Sequence, residues 1–302
     1  MITRRTVLGG LGAALIGCGR APLPSLPPLT GTLLGRARAE AGHRLRTPLD
    51  GTPGGDERFD VVIVGAGVAG LSAAWRLGRG GVKSVLLLEL DAVAGGTAQS
   101  GGGTQGPHPL GAHYITLPNP AATHVRALLQ EIGVIRDVPG GRPRYDESAL
   151  CAAPQERLYQ SGAWSSGLWP GVGATEEDRR QRADFEDHCD VWRARRGDDG
   201  LRAFEIPVAK SSRDPSIRAL SSISFADYLD RQGWTSAPLR WMLRYACRDD
   251  FGTELADTSA WAGLHYHCAR APDPADGDLG TDVLTWPGGN GRLVQELAAR
   301  QP

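Results

Sequence analysis

Apolar and polar positions follow regular periods in parts of this chain only. From Phe59 to Val64 the run is largely apolar and β-branched, which fits a buried parallel strand. Leu71, Ala74 and Leu77 then fall at helical spacing, so a helix starting near Val68 buries that stripe and ends at Gly80-Gly81. Val85-Leu86-Leu87-Leu88 reads as a second strand and finishes on Glu89. Val125, Leu128, Leu129 and Ile132 share one side of a helix predicted over 121–135. Residues 140–175 show no period and read as irregular; Trp164 and Trp169, set among Gly and Ser, suit a surface lobe or a substrate-facing loop. Thr175-Glu176-Glu177-Asp178 opens a charged helix running to about Arg196, with a capping-style Thr and acids in its first turn. Its alternating charges read as a solvated face. Two further helices are predicted over 225–231 and 238–247; a strand at His265-Tyr266-His267 would put both imidazoles on one side, as metal ligands or a proton relay.

The chemistry sits between the first strand and the first helix. Gly65-Ala66-Gly67-Val68-Ala69-Gly70 has the spacing of a turn that cradles a dinucleotide. Gly65 allows the tight turn, Gly67 lets a pyrophosphate approach the backbone, and Gly70 lets the helix lie close to the strand. The N–H groups at the helix start, around Val68 and Ala69, would face the phosphates. Glu89 stands nineteen residues after Gly70 (89 − 70), close to the ~20 expected for a carboxylate on the ribose hydroxyls. A carboxylate there repels a 2′-phosphate, so NADP is disfavoured. Strand, glycines, helix, strand and acid in register point to an adenine dinucleotide, and spacing alone leaves FAD and NAD both open.

The next segments bear on that choice. Asp91-Ala92-Val93-Ala94-Gly95-Gly96-Thr97 is followed by a Gly-rich tract and then by Leu110-Gly111-Ala112-His113-Tyr114-Ile115. Here the chain resembles the flavin-containing amine oxidase superfamily. In that family the acid-ended strand precedes a Gly-Gly pair, matched by Gly95 and Gly96, and a later segment matched by Gly111, Ala112 and His113 passes the flavin ring. Thr97 stands where the family commonly has Arg. Trp286-Pro287-Gly288-Gly289-Asn290-Gly291-Arg292-Leu293 is similar to the stretch that opens a helix before the family's chain returns to its flavin domain. The resemblance implies FAD as cofactor, a small-molecule substrate, and O₂ or a quinone as electron acceptor. It also implies further family segments beyond what matches here, so the chain is expected to be a fragment that purifies without bound flavin.

Composition narrows the partners. The 302 residues carry a formal net charge of -1, which gives no surface for nucleic acid. Thr3-Arg4-Arg5-Thr6-Val7-Leu8 resembles a twin-arginine export signal, and Leu15-Ile16-Gly17-Cys18 looks like a lipobox that would place a lipid on Cys18; Ala37-Arg38-Ala39 offers a competing cleavage site. Export by that route to the periplasm or cell envelope follows, with membrane contact only through the lipid. Cys151, Cys189, Cys247 and Cys268 contain no C-x-x-C and read as buried or unpaired thiols. No carboxylate at ligand spacing joins the His265–His267 pair, so packing or a wall of the substrate cavity is favoured there and no metal is expected.

The predicted fold is α/β: leader 1–39, flexible linker 40–57, an incomplete Rossmann-type FAD/NAD(P)-binding domain over 58–145, and a mainly helical substrate region over 146–302. The predicted function is flavin-dependent oxidation of a small molecule, with an amine as the leading substrate. Two rivals are a desaturase or isomerase of the same superfamily acting on C–C bonds, and a non-catalytic nucleotide-binding protein.

Overall fold

A parallel pair of strands with one crossing helix organises the first half of the fold. The computed structural model describes residues 42–48, 54–136, 144–151, 156–270 and 283–301. The chain divides into two units, 1–54 and 55–302. In the first, residues 42–47 form a helical turn, with Leu45 N–H donating to Gly42 O at 3.2 Å and Arg46 N–H to His43 O at 3.0 Å. This short Pro-free stretch turns where a flexible linker was expected, and Pro48 follows it. The twin-arginine motif, Cys18 and Ala39 lie outside the described residues.

In the second unit the chain forms β1 (Val61–Val64), α1 (Val68–Arg79), β2 (Val85–Leu88), β3 (Tyr114–Thr116) and α2 (Thr123–Glu131). The helical stretch follows as α3 (Glu176–Ala194), α4 (Phe225–Arg231), α5 (Ala237–Phe251) and α6 (Ala260–Cys268), and then come β4 (Val283–Thr285) and α7 (Gly291–Ala298).

β1 and β2 pair in parallel, Val61 opposite Val85 through Val64 opposite Leu88. α1 buries Leu71, Ala74 and Trp75; Trp75 takes the place predicted for Leu77, which is only half-buried. β1 is not the buried strand its composition suggested. Val62 and Val64 are 52% and 84% exposed, because α1 packs on one face of the pair and the alternating side chains put these two valines on the other. α2 is shorter than predicted and buries Leu128 and Leu129, whereas Val125 is exposed.

Residues 283–301 return to this first half and leave the helical region. β4 pairs antiparallel with β3, α7 packs on α1, and Leu284 joins Leu117, Leu129 and Ile135 in one core cluster. The division between the halves is therefore not a single cut near residue 145.

The helical half has its own core around Phe185, Phe204, Phe225, Leu243 and Leu264. α3 carries the predicted capping box, with Asp178 N–H donating to Thr175 Oγ1 at 3.1 Å and Thr175 N–H donating to Asp178 Oδ2 at 2.9 Å. One stripe of it (Gln181, Phe185, Cys189, Trp192) is buried and the rest is solvated and laced with ion pairs. The stretch over 140–175 is not wholly irregular: Arg157–Gln160 and Ala163–Ser166 form a hairpin. Its turn residues Ser161 and Gly162 both have positive φ, 51° and 87°, the twist that two-residue hairpins prefer. Trp164 is exposed on this hairpin, whereas Trp169 packs against the helical core. His265-Tyr266-His267 lies within α6, not on a strand. Residues two apart on a helix do not face the same way, so the imidazoles part: His265 Nε2 meets Glu205 O at 3.0 Å and His267 packs edge-on against Phe185.

Asn119 ties the two halves together. Buried just beyond β3, it donates to Ala269 O at 2.8 Å and to the Glu205 carboxylate, which Arg202 pairs at 3.0 Å.

Candidate dinucleotide site

The turn between β1 and α1 is shaped by close backbone approach. Gly65 N–H donates to Leu88 O at 2.7 Å, which extends the ladder by one residue. Gly65 then turns with φ +98°, a region that L side chains rarely adopt. A Cβ on Gly70 would lie 1.9 Å from Gly65 O; only glycine lets the helix come this near the strand. A Cβ on Gly67, in contrast, would meet nothing within 4 Å. That open side lies at the mouth of α1, where no side chain caps the helix and no acid occupies the first turn. The first N–H groups, at Val68, Ala69 and Gly70, are those an α-helix leaves without intrahelical partners.

Glu89 lies at the same mouth. Its Oε2 accepts from Ala66 N–H at 2.6 Å and its Oε1 from Asp91 N–H at 2.9 Å. These two backbone donors, Asp91 first, hold its carboxyl below the usual carboxylate range. A carboxylate has about four acceptor positions. The neighbouring backbone N–H groups use part of these, and the exposed remainder is open to the hydroxyls of a sugar.

From this point a run of backbone contacts leads to the second predicted segment. Gly95 N–H donates to Ala66 O at 2.8 Å, and Gly95 bridges to Gly67. Gly96, Thr97 and Ala98 form one helical turn, and Thr97 O accepts from Ala112 N–H at 2.8 Å. Gly111 sits against Thr97, where a Cβ would come within 2.5 Å of its carbonyl. Thr285 Oγ1 donates to His113 O at 2.6 Å and Asn290 N–H to Ala112 O at 3.1 Å. The predicted residues Gly65 to Gly70, Glu89, Gly95 to Thr97 and Gly111 to His113 thus form one connected strip. His113 and Thr97 present exposed side chains on it.

Some supporting residues were not singled out by sequence. Buried Gln99 donates to Val93 O at 2.6 Å, and Ser100 Oγ donates to Gly288 O at 2.6 Å. Val294 packs with Leu71, Trp75 and Leu297 beneath the strip. The glycine run Gly288-Gly289-Asn290-Gly291 was the available signal: a Cβ on Gly291 would lie 1.8 Å from Ser100 Oγ. Among the described residues no group of three His, Cys, Asp or Glu could hold a metal, and no helix is long and apolar enough to cross a membrane.

Residues 63–132 match the family of NAD(P)-binding Rossmann-like domains. The first half is a Rossmann-like fold. A thiamine thiazole synthase from Aeropyrum pernix is 36% identical over 107 residues, 35% of each protein. Among solved structures, a putrescine oxidase superposes with TM-score 0.52 at 21% identity, covering 80% of this chain and 49% of that one. A cyclohexylamine oxidase from Brevibacterium oxydans gives TM-score 0.50 at 19% identity, covering 82% and 50%. A fatty acid isomerase from P. acnes that produces CLA gives TM-score 0.50 at 18% identity, with the same coverage. At these identities the likeness is one of fold. The chain spans about half the length of these solved structures.

Proposed function

We propose that this chain forms the dinucleotide-binding and substrate-facing part of an FAD-dependent oxidoreductase of the amine-oxidase type. The reading rests on the Glu89 carboxylate, fixed at the tip of β2 against the open mouth of α1. In that arrangement Glu89 holds the ribose hydroxyls, the N–H groups from Gly67 to Gly70 receive the diphosphate, and the strip through Gly111–His113 runs on toward the ring. FAD, when bound, supplies the hydride acceptor. The protein's own share is to hold and orient the nucleotide along the strip from Gly65 to His113. The putrescine and cyclohexylamine oxidases share this fold and favour an amine substrate, with O₂ or a quinone as final acceptor. The fatty acid isomerase supports a second reading, rearrangement of C–C bonds in an apolar substrate.

The test is a titration of the purified chain with FAD and ADP, followed by fluorescence. Saturable FAD binding that ADP competes away is expected. Glu89→Ala should weaken it at least about tenfold, the loss of charge-assisted hydrogen bonds worth about 1.5 kcal/mol or more. Failure of both ligands to bind a folded chain, or equal binding by the variant, overturns the assignment.

A further inference from the structure

Two thiols in the helical core lie outside the dinucleotide site and serve none of its chemistry. Cys189 is on α3 and Cys268 closes α6; both are buried, at 1% and 0% exposure. Both belong to one buried core cluster, and the Cys268 thiol is the largest influence on the Cys189 thiol. Neighbouring contacts fix this meeting on both sides. One turn before Cys189, Phe185 packs on the His267 ring with centroids 5.2 Å apart. One turn after it, Arg193 Nη2 donates to His267 O at 2.8 Å. α3 and α6 are thus clamped together at the residue next to Cys268, and Cys189 sits inside the clamp. The other described cysteines are placed differently: Cys247 is buried in α5, and Cys151 N–H donates to Val283 O at 2.9 Å beside β4.

We propose that Cys189 and Cys268 are a built disulfide site that staples α3 to α6 when the protein meets a disulfide oxidant. A bridge of about 2 Å would join two side chains already packed in one core, between helices that the Phe185–His267 and Arg193–His267 contacts hold together. The stoichiometry is that of thiol–disulfide exchange. One cysteine thiolate attacks oxidised glutathione and expels a glutathione thiolate; the second then displaces the remaining glutathione. Two protein thiols are oxidised, one glutathione disulfide is reduced to two thiols, and the two protons lost by the cysteines end on the two expelled glutathione thiolates. In the reduced fold the Cys268 contact, then burial, raises the Cys189 thiol above its ordinary range. Reaction therefore requires local opening of α6 or takes place as the chain folds. The bridge closes a long loop (268 − 189 = 79), and loops of that length gain most from a cross-link.

The experiment uses the full 302-residue chain, incubated with oxidised glutathione in mild urea and separately refolded in the same buffer. Free thiols are then alkylated and the digest is mapped by mass spectrometry. A single cross-linked peptide joining Cys189 to Cys268 is expected, with Cys18, Cys151 and Cys247 alkylated, and the oxidised form should melt about 5–10 °C higher than the reduced form. Native reduced protein should leave Cys189 unalkylated. Five free thiols after both treatments, a different pairing, or a bridged form that melts no higher than the reduced one overturns the proposal.

Discussion

Gly70 and Glu89 act through different physics, and substitutions separate them. Gly70 is a packing residue: no side chain fits in the 1.9 Å left before Gly65 O. Gly70→Ala should destabilise the protein by about 2 kcal/mol through overpacking and abolish ADP binding along with it; a thermal melt beside the titration reads both. Glu89 is exposed, so its variant loses only the hydrogen bonds from Ala66 and Asp91 N–H and should lower the melting temperature less than Gly70→Ala does. Both residues were legible in the sequence because their spacing is set by local geometry. Thr97 and His113 were legible only as positions: the structure shows their backbone oxygens at work, accepting from Ala112 N–H and Thr285 Oγ1.

At the level of elements, helices with a clear apolar stripe or a capping box were readable, and α6, although capped by Ser259, was not. α3 follows its capping box, and α4 starts at Ser224, whose hydroxyl accepts from Asp227 N–H at 3.0 Å. α6 misled because Trp261 to Cys268 carries no clear 3.6-residue apolar period: its surroundings are apolar on several sides, so partial burial removes the contrast. Its histidines give the fold a pH dependence. Burial pushes His267 down to about 3 and lowers His265 and His188 as well. His188 Nε2 accepts from Trp192 Nε1 at 2.9 Å and meets Tyr228 Oη at 2.6 Å, contacts that favour the neutral ring. Folded histidines held neutral bind fewer protons than unfolded ones, so stability is full above the unfolded value near 6.5 and falls as pH drops below it. Urea unfolding at pH 7.5 and 5.5 should differ by about 1 kcal/mol from His267 alone, and His267→Phe should remove that share. Equal stability of the parent protein at the two pH values would contradict this account.

Across the whole molecule, the β1–β2 sheet leaves an apolar face open. Parallel sheets are ordinarily covered on both sides, yet Val62 and Val64 face solvent. Apolar area of this kind promotes association. The chain should therefore self-associate in a concentration-dependent way by light scattering, and Val62→Lys with Val64→Lys should suppress it; an unchanged scattering curve would place the association elsewhere. The same scale explains the cysteines: the halves meet through Asn119, while α3 and α6 meet through contacts between residues far apart in the chain.

The sequence by itself determined the strand–turn–helix–strand unit, the placement of Glu89 and the capped start of α3, because each depends on residues within one or two turns or on one fixed crossover. Tertiary structure alone decided that residues 283–301 return to β3 and α1, that β1 keeps a solvent-facing side, and that Cys189 and Cys268 share one buried core. Those outcomes depend on which apolar surfaces find one another across the chain, and no local pattern encodes that pairing.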